Sequence, residues 1–264
     1  MQSSNEFRIW DIHCHLPSRR VDGESLQEQM GQMLEVADRL GIDRLGVFLR
    51  TDRERGPTNA EIRAALDAHR DRIFGFVWLD LEQTQESLDK IERWIADGPM
   101  VGIKLGGNSG IYSKPAYDPV FRRGVELETI FYMHTWIRTG GAPRRPGGGN
   151  PPKNSMPADV VAVAKRYPDY PFICGHTGGD WQLGIRTCAP YENVSIEVAG
   201  GYPTRGQVEM GIRELGAERI IYGSDVTGRS FGSQLGKVMA ADISERQRQL
   251  ILADNLQRMM QPML

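Results

Sequence analysis

Short runs of β-branched, aromatic and aliphatic residues recur along this chain, separated by longer amphipathic stretches. The runs are "FRIWDIH" (7–13), "RLGVFL" (44–49), "IFGFVWL" (73–79), "VGIKL" (101–105), "TIFYMH" (129–134), "PFICGH" (171–176), "NVSIEVA" (193–199) and "RIIYGSD" (219–225). They read as eight strands. Between them, Met30, Met33, Leu34, Ala37 and Leu40 recur at helical spacing, with Gly41 as a stop. Thr58 and Glu61 have the spacing of a capping box, and Asp118-Pro119 supplies an N-cap with proline at the first helical position. A closing helix is expected from Ile243 to Met260.

Eight strands alternating with helices over 264 residues predict a (β/α)₈ barrel of the α/β class, one domain spanning 1–264. An open doubly wound sheet uses the same alternation. The one long connection, Thr135 to Met156, contains "RTGGAPRRPGGGNPPKN" and follows a strand directly, as an active-site loop or an oligomer contact would. A formal net charge of -2 gives no reason to expect nucleic acid or an anionic membrane as partner. The start lacks a secretory pattern, and Cys14, Cys174 and Cys188 form no disulfide framework, so a reducing cytoplasmic setting is the default.

Chemistry concentrates at strand ends. Strict alternation in "WDIHCH" puts Asp11, His13 and His15 on one face and Trp10, Ile12 and Cys14 on the other. The fifth run ends at His134, the sixth at His176 and the eighth at Asp225. His69 lies in a charged helical end and reads as a surface residue, Cys14 as packing, and Ser224 has no triad context. In a barrel all strand C-termini open onto one face, and closure brings the first strand beside the eighth. His13, His15 and Asp225 could then share a metal ion.

"DIHCH", "MHT", "GHTGGDW", "YGSD" and the closing "ILADNLQRM" together resemble the amidohydrolase superfamily, most of all its amidohydrolase-related branch of metal-dependent hydrolases, lactonases and decarboxylases. The resemblance implies metal-site positions at His13, His15, His134 and Asp225, with His176 binding metal in some members and handling protons or substrate oxygen in others. One divalent ion is expected, Zn²⁺ first, with Mn²⁺ or Fe²⁺ as alternatives. Asp225 and His176 are the catalytic candidates. Lys104 would bridge a second ion if carboxylated, as in binuclear members; otherwise it binds a substrate carboxylate or pairs with Glu197, which alternation also points inward.

Substrate contacts are sought at Arg50, Trp78, Trp136, Arg138 and Arg229, with Arg144, Arg145 and Trp181 nearby in sequence. Arginine forks bind carboxylates and aromatic rings stack on flat groups, which predicts a small anionic or cyclic substrate. The expected activity is metal-dependent hydrolysis of an amide, ester or lactone. The alternatives are decarboxylation of a small aromatic or unsaturated carboxylate, and a metal-stabilised barrel that binds ligand without catalysis.

Overall fold

Parallel strands need crossovers, and the helices between these runs provide them. The computed structural model describes residues 7–16, 24–51, 56–140, 145–146, 148–201 and 205–261, without the side chains of 139, 140, 145 and 146. Its barrel strands are β1 (Trp10–His15), β2 (Arg44–Leu49), β3 (Ile73–Leu79), β4 (Met100–Leu105), β5 (Ile130–His134), β6 (Phe172–Gly175), β7 (Val194–Glu197) and β8 (Ile220–Ile221). They pair in chain order, all parallel. Helices α1 (Leu26–Arg39), α2 (Asn59–Ala68), α3 (Thr84–Ile91), α4 (Asp118–Glu126), α5 (Pro157–Ala164), α6 (Trp181–Cys188), α7 (Gln207–Leu215) and α8 (Phe231–Met239) alternate with them. The architecture is a (β/α)₈ barrel. Thr139–Gly140 and Arg145–Pro146 add a short antiparallel ribbon in the long loop.

Closure is made at the seam between β1 and the segment after β8. Ile12 N–H donates to the Tyr222 carbonyl (3.3 Å), Asp225 N–H to that of His13 (2.9 Å), and His15 N–H to that of Val226. The eighth strand is shorter than the 219–225 run predicts. Beyond Ile221 the backbone leaves the regular ladder: Tyr222 N–H turns to the Ile251 carbonyl, Ser224 N–H bonds the Asp11 carboxylate, and Asp225 takes a left-handed φ of 58°.

Two layers of apolar side chains follow. Outside the strands, residues such as Val47, Val77, Ile103, Leu105 and Ile196 pack under the helices. Inside, Trp10, Ile12, Phe48, Phe74, Phe76, Ile130, Tyr132, Ile173 and Ile221 fill the barrel, and Ala253, Leu256 and Met260 of the closing helix join them. Burying each such large side chain contributes about 1.5–3 kcal/mol.

Simple alternation fails at two bulges. In β1 the register with β2 slips between Asp11 and Cys14, so Ile12 and His13 both lie among interior residues, while Cys14 joins the outer layer. Asp11 therefore does not share the histidines' site. Its Oδ1 accepts from the backbone N–H groups of His13 and Ser224, each at 2.9 Å, and so fastens β1 to the seam. In β4 a slip opposite Gly75/Phe76 leaves Val101 with the inner cluster, whereas Ile103 and Leu105 face the helices.

The Thr58–Glu61 capping box forms, with reciprocal bonds of 3.2 and 2.7 Å, and Gly41 follows α1 at φ 67°. Asp118 is not an N-cap. A 3-10 turn at Pro115–Tyr117 runs straight into α4, and the Asp118 carboxylate binds Arg122 and the Tyr167 hydroxyl instead, both at 2.9 Å. The closing helix begins after Ser244, which caps it, so Ile243 lies outside; a π-helical turn at Leu250–Asp254 interrupts it. No helix among the described residues is long and apolar enough to cross a membrane.

Candidate metal centre

The C-terminal ends of β1, β5, β6 and β7 and the seam after β8 converge on one cluster of imidazoles and carboxylates. His13 Nε2 lies 3.1 Å from His15 Nε2 and 3.3 Å from Asp225 Oδ1, and His15 Nε2 lies 3.5 Å from the same oxygen. Zinc–nitrogen bonds of about 2.0–2.1 Å at tetrahedral angles would put two ligand atoms about 3.4 Å apart. The donor set fits a divalent ion in both spacing and chemistry.

Hydrogen bonding decides which nitrogen of His13 carries its proton. The Tyr132 hydroxyl donates to Glu197 Oε2 (2.9 Å), so its oxygen accepts from His13 Nδ1 at 2.6 Å. The proton sits on Nδ1, and the Nε2 lone pair faces His15 and Asp225. Glu197 is held by two further donors: Oε2 also accepts from His176 N–H (2.8 Å) and Oε1 from Ala199 N–H (2.9 Å). Tyr132 shares a face with His134 by the period of two, which was the available sequence signal for it. A Cβ on Gly223 would stand 2.1 Å from Glu197 Oε1 and 2.8 Å from the His13 Cβ, so only glycine fits behind the pair.

His176 opens a turn after β6 with φ 60°, and Thr177 follows at φ 48°; such conformations cost about 1–3 kcal/mol each and persist where the surroundings over-determine them. Here Glu197 holds the turn through His176 N–H and through its own carbonyl, which accepts from Thr177 Oγ1 at 2.6 Å. His176 Nδ1 donates to the Ala199 carbonyl (3.2 Å), which leaves the Nε2 lone pair facing His134 Nδ1 at 3.0 Å. His134 thus stands beside His176. Among the described residues, two groups of candidate ligands have atoms mutually within 4.8 Å: His13, His15 and Asp225, and His13, His176 and Glu197.

Lys104 does not pair with Glu197. It is fully buried, its Nζ has no hydrogen-bond partner among the described residues, and it lies 4.1 Å above the Phe48 ring and 4.0 Å from that of Tyr132. Glu197 instead accepts from Tyr132 and two backbone N–H groups. Burial holds Lys104 well below the usual lysine range. Burial, helped by the Lys104 charge, pushes His15 and His134 down to about 3, and holds His13 and His176 well below their ordinary value. Burial raises Asp225, and lifts Asp11 and Glu197 to about 7.

These shifts fix a pH dependence for the metal-free protein. A histidine neutral when folded and charged when unfolded contributes stability above pH 6.5 that is lost on acidification, down to about pH 3 for His15 and His134. Asp11 and Glu197 work the other way below pH 7, and Asp225 with its raised pKa joins them, because the folded state holds their protons. The four histidines outnumber the carboxyls, so acidification favours the unfolded chain, by about 1.4 kcal/mol per pH unit for each net proton. Urea unfolding of the chelated protein is expected to show a lower midpoint at pH 5 than at pH 7.5; an equal or higher midpoint would refute the neutral-histidine assignment.

The remaining sequence candidates separate into two sides. Trp136 and Arg229 border a cavity of about 500 Å³ that reaches His176 and also includes Trp181. Arg50 and Trp78 border another of about 380 Å³ with Asp80 and Lys90, the Arg50 guanidinium 4.0 Å above the Trp78 ring. The Trp78 ring in turn lies 5.9 Å from that of His15. Arg138 is exposed on the long loop, with its backbone N–H held by Asn150 at 2.8 Å. Arg144 and the Arg145 side chain fall outside the described residues. His69 is a half-buried C-cap of α2, bonded at Nε2 to the Gln27 carbonyl.

The family model described as Amidohydrolase matches residues 10–259. The chain belongs to the amidohydrolase family. Among solved structures, 2,6-dihydroxybenzoate decarboxylase from Rhizobium is 17% identical with a TM-score of 0.70, covering 97% of this chain and 98% of that one. 5-Carboxyvanillate decarboxylase from Sphingomonas paucimobilis is 15% identical with a TM-score of 0.71, over 97% and 99%. A dihydroxybenzoic acid decarboxylase from Polaromonas, solved with manganese and the inhibitor 2-nitroresorcinol, is 16% identical with a TM-score of 0.68, over 97% of each chain. At such identities the likeness is one of fold. No curated protein matches the sequence.

Proposed function

We propose that this member of the amidohydrolase family is a metal-dependent hydrolase of a small anionic or cyclic amide, ester or lactone. The observation that carries this reading is the convergence of His13 Nε2, His15 Nε2 and Asp225 Oδ1 within 3.5 Å, with the His13 proton held on the far nitrogen. A bound divalent ion supplies a Lewis acid and lowers the pKa of water toward about 7. His13, His15 and Asp225 would hold it, and the His134–His176 pair offers the further ligand position.

Around that centre each residue has its own task. The half-buried Asp225 takes a proton from the attacking water and returns it to the leaving group, a role its raised pKa suits. His176, fixed by the Ala199 carbonyl, directs Nε2 at His134 Nδ1 3.0 Å away, so the two imidazoles act as a pair beside the ligand group. Trp136 and Trp181 flank the cavity for a flat group, and Arg229 meets a carboxylate there. Lys104 lies behind the imidazoles, its Nζ packed on the Phe48 and Tyr132 rings.

A single ion is favoured. The group of His13, His176 and Glu197 uses the protonated Nδ1 side of His13 and a carboxylate already committed to three donors, so it reads as the hydrogen-bonded support of the ligand group. Elemental mass spectrometry after reconstitution with Zn²⁺ or Mn²⁺ is expected to find about one ion per chain, falling toward zero in His13→Ala. Two ions would make Lys104 a carboxylated bridge; none would end the metalloenzyme reading.

Decarboxylation is the second reading, favoured by the activities named for the solved relatives. In that case Asp225 would deliver a proton to the ring carbon that loses CO₂. Release of CO₂ from 2,6-dihydroxybenzoate by the reconstituted protein, without hydrolysis of cyclic amides or lactones, would move the assignment to a carbon–carbon lyase.

A further inference from the structure

A second buried lysine lies outside the imidazole cluster. Lys237, on α8, is only 8% exposed, yet it makes no ion pair among the described residues. A lysine is seldom buried without a carboxylate beside it, because removing an ammonium from water is costly. Its Nζ donates instead to two backbone carbonyls, that of Val198 at 3.0 Å and that of Gly200 at 2.7 Å. Burial draws its pKa down to about 8, which still leaves most of the chains with a charged Lys237 at neutral pH.

Both carbonyls belong to the stretch that leaves β7 and runs past His176. Val198 N–H still bonds the Ile221 carbonyl (3.2 Å), and Ala199 N–H bonds Glu197 Oε1 (2.9 Å). Gly200 and Gly201 then turn at φ 86° and 62°. Once a buried backbone leaves its ladder, each carbonyl needs some other donor. Among the described residues, Val198 and Gly200 find theirs in Lys237. Ala199, between them, finds its donor in His176 Nδ1 at 3.2 Å. One ammonium therefore grips the chain on both sides of the carbonyl that holds the His176 proton. The approach is close: a Cβ on Gly200 would stand 2.4 Å from His176 Nδ1.

We infer that Lys237 is a positioning residue: by holding the Val198 and Gly200 carbonyls it fixes the Ala199 carbonyl against His176, keeps the imidazole proton on Nδ1 and leaves Nε2 bare toward His134. At 3.2 Å the His176 bond lies at the long end of the N–H···O range, so a small drift of the Ala199 carbonyl breaks it. His176 Nδ1 has no other acceptor among the described residues. Its proton would then be free to move to Nε2, which lies 3.0 Å from His134 Nδ1. A proton there removes the lone pair that the His134–His176 pair offers as a further ligand position. That consequence rests on the proposed metal centre; the tautomer itself does not. Outer partners that fix a ligand histidine are worth about 10–100-fold in metal affinity or activity.

The test is nitrogen NMR of the full-length chain, isotopically labelled at its histidine nitrogens and kept metal-free with chelator at neutral pH. The His176 resonances are those lost in His176→Gln. In the parent chain Nδ1 is expected as the protonated nitrogen and Nε2 as the bare one; the reverse would overturn the inference before any lysine variant is made. Lys237→Met keeps the length of the stem and removes the donors. In it the ratio of the Nδ1–H to the Nε2–H form is expected to fall about tenfold, the scale of one lost hydrogen bond. Lys237→Arg, which keeps a cation with its donors, should hold the ratio near that of the parent. An unchanged ratio in Lys237→Met would overturn the inference. An equal fall in Lys237→Arg would do the same, because packing rather than donation would then be the cause. Thermal unfolding confirms that both variants fold. Zinc content of the reconstituted parent chain reports separately on the metalloenzyme reading, so failure of one does not pass for failure of the other.

Discussion

Asp225→Asn is expected to lower kcat/KM on the first substrate that turns over by roughly 10²–10⁴-fold at saturating metal, the range that general acid–base groups contribute. The carboxylate touches both imidazoles of the ligand group through one oxygen, and its backbone N–H is bonded to the His13 carbonyl. Asparagine keeps the size and the backbone bond but cannot take a proton. The fold should therefore survive while turnover falls, and the falling acid limb of the pH–rate profile should vanish with it. Steady-state kinetics beside metal content on the same preparation checks this. Full turnover with metal retained would remove Asp225 from the chemistry.

Glu197→Ala is expected to give the largest loss of stability. It strands the Tyr132 hydroxyl and the N–H groups of His176 and Ala199, all buried. At about 1–3 kcal/mol for each unmatched donor the cost is about 3 kcal/mol or more, offset in part by no longer burying a carboxyl. The same change frees the Tyr132 oxygen to turn and releases the His13 tautomer, so metal affinity should fall by about 10–100-fold, the usual effect of removing such outer partners. Urea unfolding of the chelated protein and zinc titration of the folded one measure the two effects independently. An unchanged midpoint and an unchanged affinity would mean that Glu197 does not support the site.

Both predictions turn on residues that the sequence ranked differently. Asp225 stood out because it ends a strand-like run, as His134 and His176 do, and a barrel gathers strand ends on one face. Glu197 is legible in the sequence only as an inward position in "NVSIEVA", where charge alone suggests Lys104 as its partner. Its real partners, Tyr132 and the turn at His176, lie on two other strands. Lys237 carries no local signal at all, since a lysine in an amphipathic helix reads as solvated surface.

What the chain's pattern determined by itself was the βα alternation from which a barrel was expected: eight runs of strand length, helices between them with the Thr58–Glu61 cap, and four histidines placed at strand ends. Those features are local, set by side-chain period and by the short-range bonds of capping, and they hold wherever the strand ends up. The tertiary structure alone decided the rest. The bulge in β1 turned Asp11 away from the histidines and onto Ser224, 213 positions along the chain. The seam cut the eighth strand to two residues so that Asp225 could face His13 and His15. Arg50 and Trp78 went to one side of the centre, and Trp136 and Arg229 to the other. Each of these depends on register between strands that meet only on closure, and no periodicity within a single strand encodes how its neighbour across the seam is aligned.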